Sequence, residues 1–269
     1  MGVSWFEELP LLPGAIVVIG GFVLLSLLLA RVVGVFVPKE MRREHNDLAG
    51  FIFAVVGVIY AVVLGFVAVG VWERFVAADD RTYDEASAIT AVYRDAGSFD
   101  DYASLRADLR RYVHYAIAIG WPALESGTVQ PDATSAEKLA RDIRHAPVRD
   151  MRQQEVFGHM IERMSQALRD RDARLTEDST GLNAVMWVVV IAGGFITIAF
   201  TYLFGFSRTF MQTLMIGTLA FLIGLVIFLT MSLDYPFRGA IRVGPEAFER
   251  TLLNFDQIDA VSVHTPATK

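Results

Sequence analysis

Three carboxylates, Glu73, Asp80 and Asp84, step by seven and four residues through a stretch without a helix breaker. At about 100° per residue they share one face of a helix. In a single chain such a stripe is a solvated surface. In a ring of subunits with this helix nearest the axis, it becomes stacked carboxylate rings, which concentrate cations and repel anions at a pore mouth. Arg74 and Arg81 sit elsewhere on the helix, as intrachain or intersubunit partners. Catalytic constellations are missing. The histidines, His45, His114, His145, His159 and His264, show no metal-ligand spacing, and cysteine is absent. There is no Walker loop, dinucleotide fingerprint or Gly-x-Ser-x-Gly elbow. No enzyme, metal site or cofactor is expected.

The elements that must carry these groups are membrane helices. The 269 residues are 54% hydrophobic and only 20% charged, and the excess lies in four runs: Gly14 to Val37, Leu48 to Trp72, Leu182 to Phe206 and Phe210 to Leu233. A hydrocarbon core about 30 Å thick needs about 20 apolar residues. Arg31 is the one charge in these runs. Proton-coupled carriers place ionisable groups in their spans, so that class is disfavoured. The net charge of −6 argues against nucleic acid. The first run is expected to be a permanent span, since Glu7 and Glu8 precede it where a signal peptide is basic.

The expected fold is all-α: four transmembrane helices with a helical extramembrane domain inserted between the second and third. The divisions are 14–72 for spans one and two, 73–181 for the inserted domain, 182–233 for spans three and four, and 234–269 for a C-terminal tail. Span two continues as one helix to Ala96, where Gly97 ends it; Ser98 with Asp101 caps the next. Leu105, Leu109, Tyr112 and Val113 give that helix an apolar face. Trp121-Pro122 and 126–135 read as loop. Helices follow at Ala136 to His145 and from Pro147 to about Leu175, where Met160 and Met164 belong to a core stripe.

Gly50, Ala54, Gly57, Ala61 and Ala68, with Gly65 close by, form a narrow stripe of small residues on span two. Such stripes let membrane helices approach closely. The partner is another span of the same chain or a second subunit. Gly193-Gly194 in span three is a second packing site. Asp234, at the C-terminal end of span four, opposes the helix dipole and needs an arginine or backbone donors from the inserted domain. Pro236 and Gly239 stop the helix there. Even span number puts the termini and inserted domain on one side. Lys39, Arg42 and Arg43 favour cytoplasmic short loops, whereas Arg169, Arg171, Arg174, Arg238 and Arg242 place comparable charge opposite. The side is left undecided; the location is the cell (plasma) membrane, multi-pass.

His45-Asn46-Asp47-Leu48-Ala49-Gly50-Phe51, Val58 to Phe66, Val71-Trp72-Glu73, Glu85-Ala86, Trp121-Pro122, Ala199 to Gly205 and Leu233-Asp234-Tyr235-Pro236-Phe237-Arg238-Gly239 together resemble the bacterial membrane family of bestrophin-like domain proteins. The resemblance covers nearly the whole chain. Asn46 and Asp47 belong to its motif, with Asp234, Pro236 and Gly239. Bestrophins are oligomeric ion channels, with a pore lined mainly by the second span and its extension. The resemblance therefore implies a homo-oligomer in a lipid bilayer, with Leu48 to Asp84 lining the pore and inorganic ions as the passengers. Phe51 and Phe66 are then candidate constrictions, and Glu73, Asp80 and Asp84 a cation-attracting vestibule. A non-conducting scaffold or sensor, whose inserted domain binds a partner, is the alternative.

Overall fold

The computed structural model describes residues 10–36, 46–99, 102–128, 133–145, 148–179, 181–204 and 209–264. Every regular element among them is helical. Four helices are long and apolar enough to cross a membrane. They are α1 (Leu11–Phe36), the membrane part of α2 (Asn46–Ala96), α7 (Ala184–Tyr202) and α8 (Thr209–Leu233). At 1.5 Å per residue, α7 is about 28 Å long and α1 about 39 Å. The chain divides into two compact units, and the division falls inside α2, between Phe75 and Val76.

The membrane unit comprises Met1–Phe75, Gly181–Tyr235 and Gly239–Ile241. Helices α1, α7 and α8 begin and end within a few residues of their apolar runs and α2 begins so, because backbone polar groups in hydrocarbon must bond within the helix. The Asn183 side chain caps α7 by accepting from the Val185 N–H at 3.0 Å. Hydroxyls are satisfied the same way: Ser26, Thr197 and Thr230 each donate to a carbonyl four residues back. Helix α8 packs on α1 and α7. Gly224 of α8 faces α1, where a Cβ would touch the Ile19 backbone at 3.4 Å. Tyr202 ties α7 to α1, its hydroxyl donating to the Ser26 carbonyl at 2.8 Å. Of the expected loop between spans three and four, Thr209 opens α8 and residues 207–208 lie outside the described residues.

The second unit comprises Val76–Thr180, Pro236–Arg238 and Arg242–Lys269. It holds the rest of α2, then α3 (Tyr102–Tyr115), a π-helical turn (Ala116–Gly120), α4 (Trp121–Glu125), α5 (Ala133–Arg144), α6 (Met151–Ser179) and α9 (Glu246–His264). Gly97 follows the end of α2 as expected; the Asp101 half of the expected cap lies outside the described residues. Leu109 and Val113 of α3 are fully buried, as are Met160 and Met164 of α6.

Four expectations need correction. Trp121-Pro122 is helical, not loop: α3, the π-helical turn and α4 run on without a break, and the wider turn, in which the Trp121 N–H bonds to the Ala116 carbonyl, leads into the proline. Helix α5 starts three residues early, taking Ala133 to Ser135 from the expected loop. Helix α6 starts at Met151, where Asp150 accepts from the Gln153 N–H at 2.7 Å; Pro147 lies outside the described residues. The segment 234–269, read as a tail, also contains α9. Pro245 accepts from its first N–H groups, and Phe248 and Phe255 are fully buried.

Candidate functional site

In the membrane unit α2 presents two unlike faces. Tyr60, Leu64, Val67 and Val71 are buried, recurring every three to four residues as one stripe. Tyr60 lies in a notch made by Gly193 and Gly194. A Cβ on Gly193 would stand 2.6 Å from the Tyr60 ring, and one on Gly194 2.9 Å from its oxygen. The Tyr60 hydroxyl donates to the Val190 carbonyl at 2.9 Å. The expected role of the glycine pair in packing is thus given a partner.

The other face is bare. Phe51 is 72% exposed and Phe66 76%, and Glu73 is exposed with them. In the stripe of small residues, Ala54, Ala61 and Gly65 are exposed, and Gly50, Gly57 and Ala68 are half-buried. A Cβ on Gly57 or Gly65 would meet nothing within 4 Å, and one on Gly50 only the edge of Phe204, at 3.8 Å. Among the described residues the stripe therefore brings no second backbone close. The side chains of Asn46 and Asp47 lie outside the described residues.

In the second unit Asp80 and Asp84 are exposed. Their charge is felt nearby. Asp79 has its pKa raised by burial, by Asp80 and by Glu246. Asp170 has its own raised by burial, by Asp84 and by Glu85, and its buried Oδ2 has no hydrogen-bond partner among the described residues. One residue along from Asp84, Glu85 is fully buried. It receives Arg174 in a two-point ion pair, Nε to Oε2 at 3.0 Å and Nη2 to Oε1 at 3.2 Å, and the Tyr112 hydroxyl at 2.6 Å. Burial, with Glu85 alongside, pushes the Tyr112 hydroxyl pKa far up. The Arg174 guanidinium also lies 4.8 Å from the centre of the Trp121 ring. Four elements meet at this pair, and spacing alone did not reveal it. Glu85 and Trp121 stood among the residues carrying the family resemblance; Tyr112 was expected only in an apolar face and Arg174 only as a positive charge flanking span three.

Asp234 follows the last residue of α8 and is buried. Its Oδ1 accepts from the Leu182 N–H at 2.7 Å, its Oδ2 from the Trp187 indole at 3.3 Å, and Arg74 stands 3.8 Å away. The expected arginine is therefore Arg74. The backbone donor belongs to the head of span three rather than to the inserted domain. Burial pushes the Asp234 carboxyl above its ordinary range, against the pull of these donors. Gly239 has φ of +79°, a conformation that strains other residues. The Pro236 carbonyl accepts from Val243 at 2.8 Å.

The family model described as "Bestrophin-like domain" matches residues 20–248. The chain belongs to the bestrophin-like domain family. Its fold is similar to crystal structures of a bacterial bestrophin homologue from Klebsiella pneumoniae. One, phased by Zn-SAD, aligns at TM-score 0.62 with 14% identity over 91% of this chain and 98% of the other. Two single-substitution variants align at TM-scores of 0.64 and 0.65 with 14% and 13% identity, over 88% and 90% of this chain and 98% of each of theirs. No curated protein matches significantly. In this bestrophin-like chain, the matched residues include the bare face of α2, the Glu85 ion pair and Asp234.

Proposed function

We propose that this bestrophin-like protein is a homo-oligomeric ion channel of the plasma membrane, with the second span and its extension lining the pore. The inserted domain then occupies one side of the membrane, between spans two and three. Phe51 and Phe66 form constrictions, and Glu73, Asp80 and Asp84 form a vestibule that favours cations. One observation carries the reading: the face of α2 bearing these residues is exposed along its length, although the same helix buries its opposite side. The adjoining small residues give neighbouring subunits room to approach, and bestrophins are ion channels built as oligomers.

Single-particle imaging of the purified protein is expected to give a symmetric ring of four or more subunits. In planar bilayers the ring conducts, and D80N/D84N lowers its cation-to-anion permeability ratio. A monomer or dimer, or no conductance at any voltage, pH or calcium level, overturns the proposal. An unchanged ratio in the double variant removes the cation vestibule alone.

A further inference from the structure

A groove of about 600 Å³ lies between α1 and α8 in the membrane unit. Leu28 and Ile216 line its apolar part, while Arg31, Gln212 and Thr213 bring polar groups to it. Arg31 is exposed, and among the described residues no carboxylate pairs with it. It is also the one charge in the four apolar runs. A cation at such a site is costly unless it reaches the interface or meets an anion.

Helix lengths set the depth. Helix α1 exceeds the hydrocarbon core of about 30 Å by roughly 9 Å, or about 4 to 5 Å at each end when centred. Arg31 lies five residues before Phe36, or about 7.5 Å. Gln212 and Thr213 are the fourth and fifth residues of α8, about 4.5 to 6 Å from its start. The three polar groups therefore sit at one level, where hydrocarbon gives way to headgroups.

We infer that this groove binds a phospholipid of net negative charge, with its phosphate on Arg31 and one acyl chain along the apolar wall. A guanidinium suits this ligand, since its planar fork matches two phosphate oxygens. Gln212, whose amide donates to the Phe204 carbonyl, and Thr213 make the groove polar at the same depth. The apolar remainder of the groove distinguishes a lipid from a free anion. The inference stands apart from channel activity.

The test is native mass spectrometry of the delipidated full-length protein, read on the first lipid retained. Phosphatidylglycerol and phosphatidylcholine with identical chains are offered, with tail-free glycerophosphoglycerol as competitor. The wild type is expected to prefer phosphatidylglycerol by about tenfold, because phosphatidylcholine brings a quaternary ammonium toward the Arg31 guanidinium along with the same phosphate. R31Q removes the preference and R31K keeps most of it. G34L tests the apolar wall: Gly34 lines the groove, and a Cβ there meets nothing within 4 Å. This variant weakens both lipids while leaving their ratio unchanged. A preference that survives R31Q overturns the inference. So does equal competition by glycerophosphoglycerol, which would mark a free-anion site. A change of subunit number in R31Q or G34L, with lipid retention unaltered, would mean that a second copy covers the groove.

Discussion

The two halves of α2 both bury mainly apolar stripes at the same helical spacing, but only the second encloses a full charge. In the membrane unit the buried residues are Tyr60, Leu64, Val67 and Val71; in the second unit they include Thr82, Glu85, Ile89 and Tyr93. The membrane stripe seats on glycines and spends its one hydroxyl on a carbonyl. The other holds a full charge against Arg174. The surroundings account for the contrast. Hydrocarbon offers no hydrophobic force between helices, so close fit must hold them. In water, apolar burial supplies the driving force, and a charge can be enclosed when every polar atom has a partner.

The sharpest way to break this comparison is to unpair the buried charge. Glu85→Ala leaves Arg174 buried without its carboxylate and is expected to cost about 3 to 5 kcal/mol, read as a large loss in denaturant or thermal unfolding. Glu85→Ala combined with Arg174→Met should recover much of that loss, because the orphan charge is gone. Next comes the notch. Gly193→Ala places a methyl into the Tyr60 ring and is expected to cost about 1 to 3 kcal/mol by overpacking, measured by thermal denaturation in detergent. Gly65→Ala meets nothing among the described residues, so the subunit should keep its stability. If the bare face contacts neighbouring copies, the ring falls apart at lower detergent concentration, as size-exclusion with light scattering would record. Equal effects of the two glycine variants on subunit stability would erase the distinction between the faces.

The smallest effect concerns Asp170. Its pKa is raised above the ordinary 3.8 by burial, Asp84 and Glu85, so the fold holds the proton more tightly than the unfolded chain does. The penalty is absent well below 3.8 and complete once pH passes the raised value, so stability falls as pH rises between the two. Asp170→Asn should flatten that part of the pH–stability curve and leave the acid end unchanged.

The spans were legible because hydrocarbon length is written directly as apolar run length. The core role of Met160 and Met164 was legible for a similar reason, since a helix repeats every 3.6 residues. Helix α9 carried a fainter signal: Phe248, Thr251 and Phe255 recur at helical spacing, but no long apolar run announces them. Trp121-Pro122 looked like a breaker because no spacing announces the π-helical turn that carries the helix into it. The Glu85–Arg174 pair joins residues 89 positions apart; no local pattern encodes such a meeting. Of the candidate site, the stepping of Glu73, Asp80 and Asp84 was visible in advance. Their exposure, and the emptiness around Gly57 and Gly65, required the packed helices.

The tyrosine seated between paired glycines has a mechanical consequence. It acts as a detent between α2 and α7: sliding or turning one helix against the other must first lift a ring out of its slot and break a bond to a carbonyl. A rearrangement that moves the membrane part of α2 at low cost therefore carries α7 along as its mate.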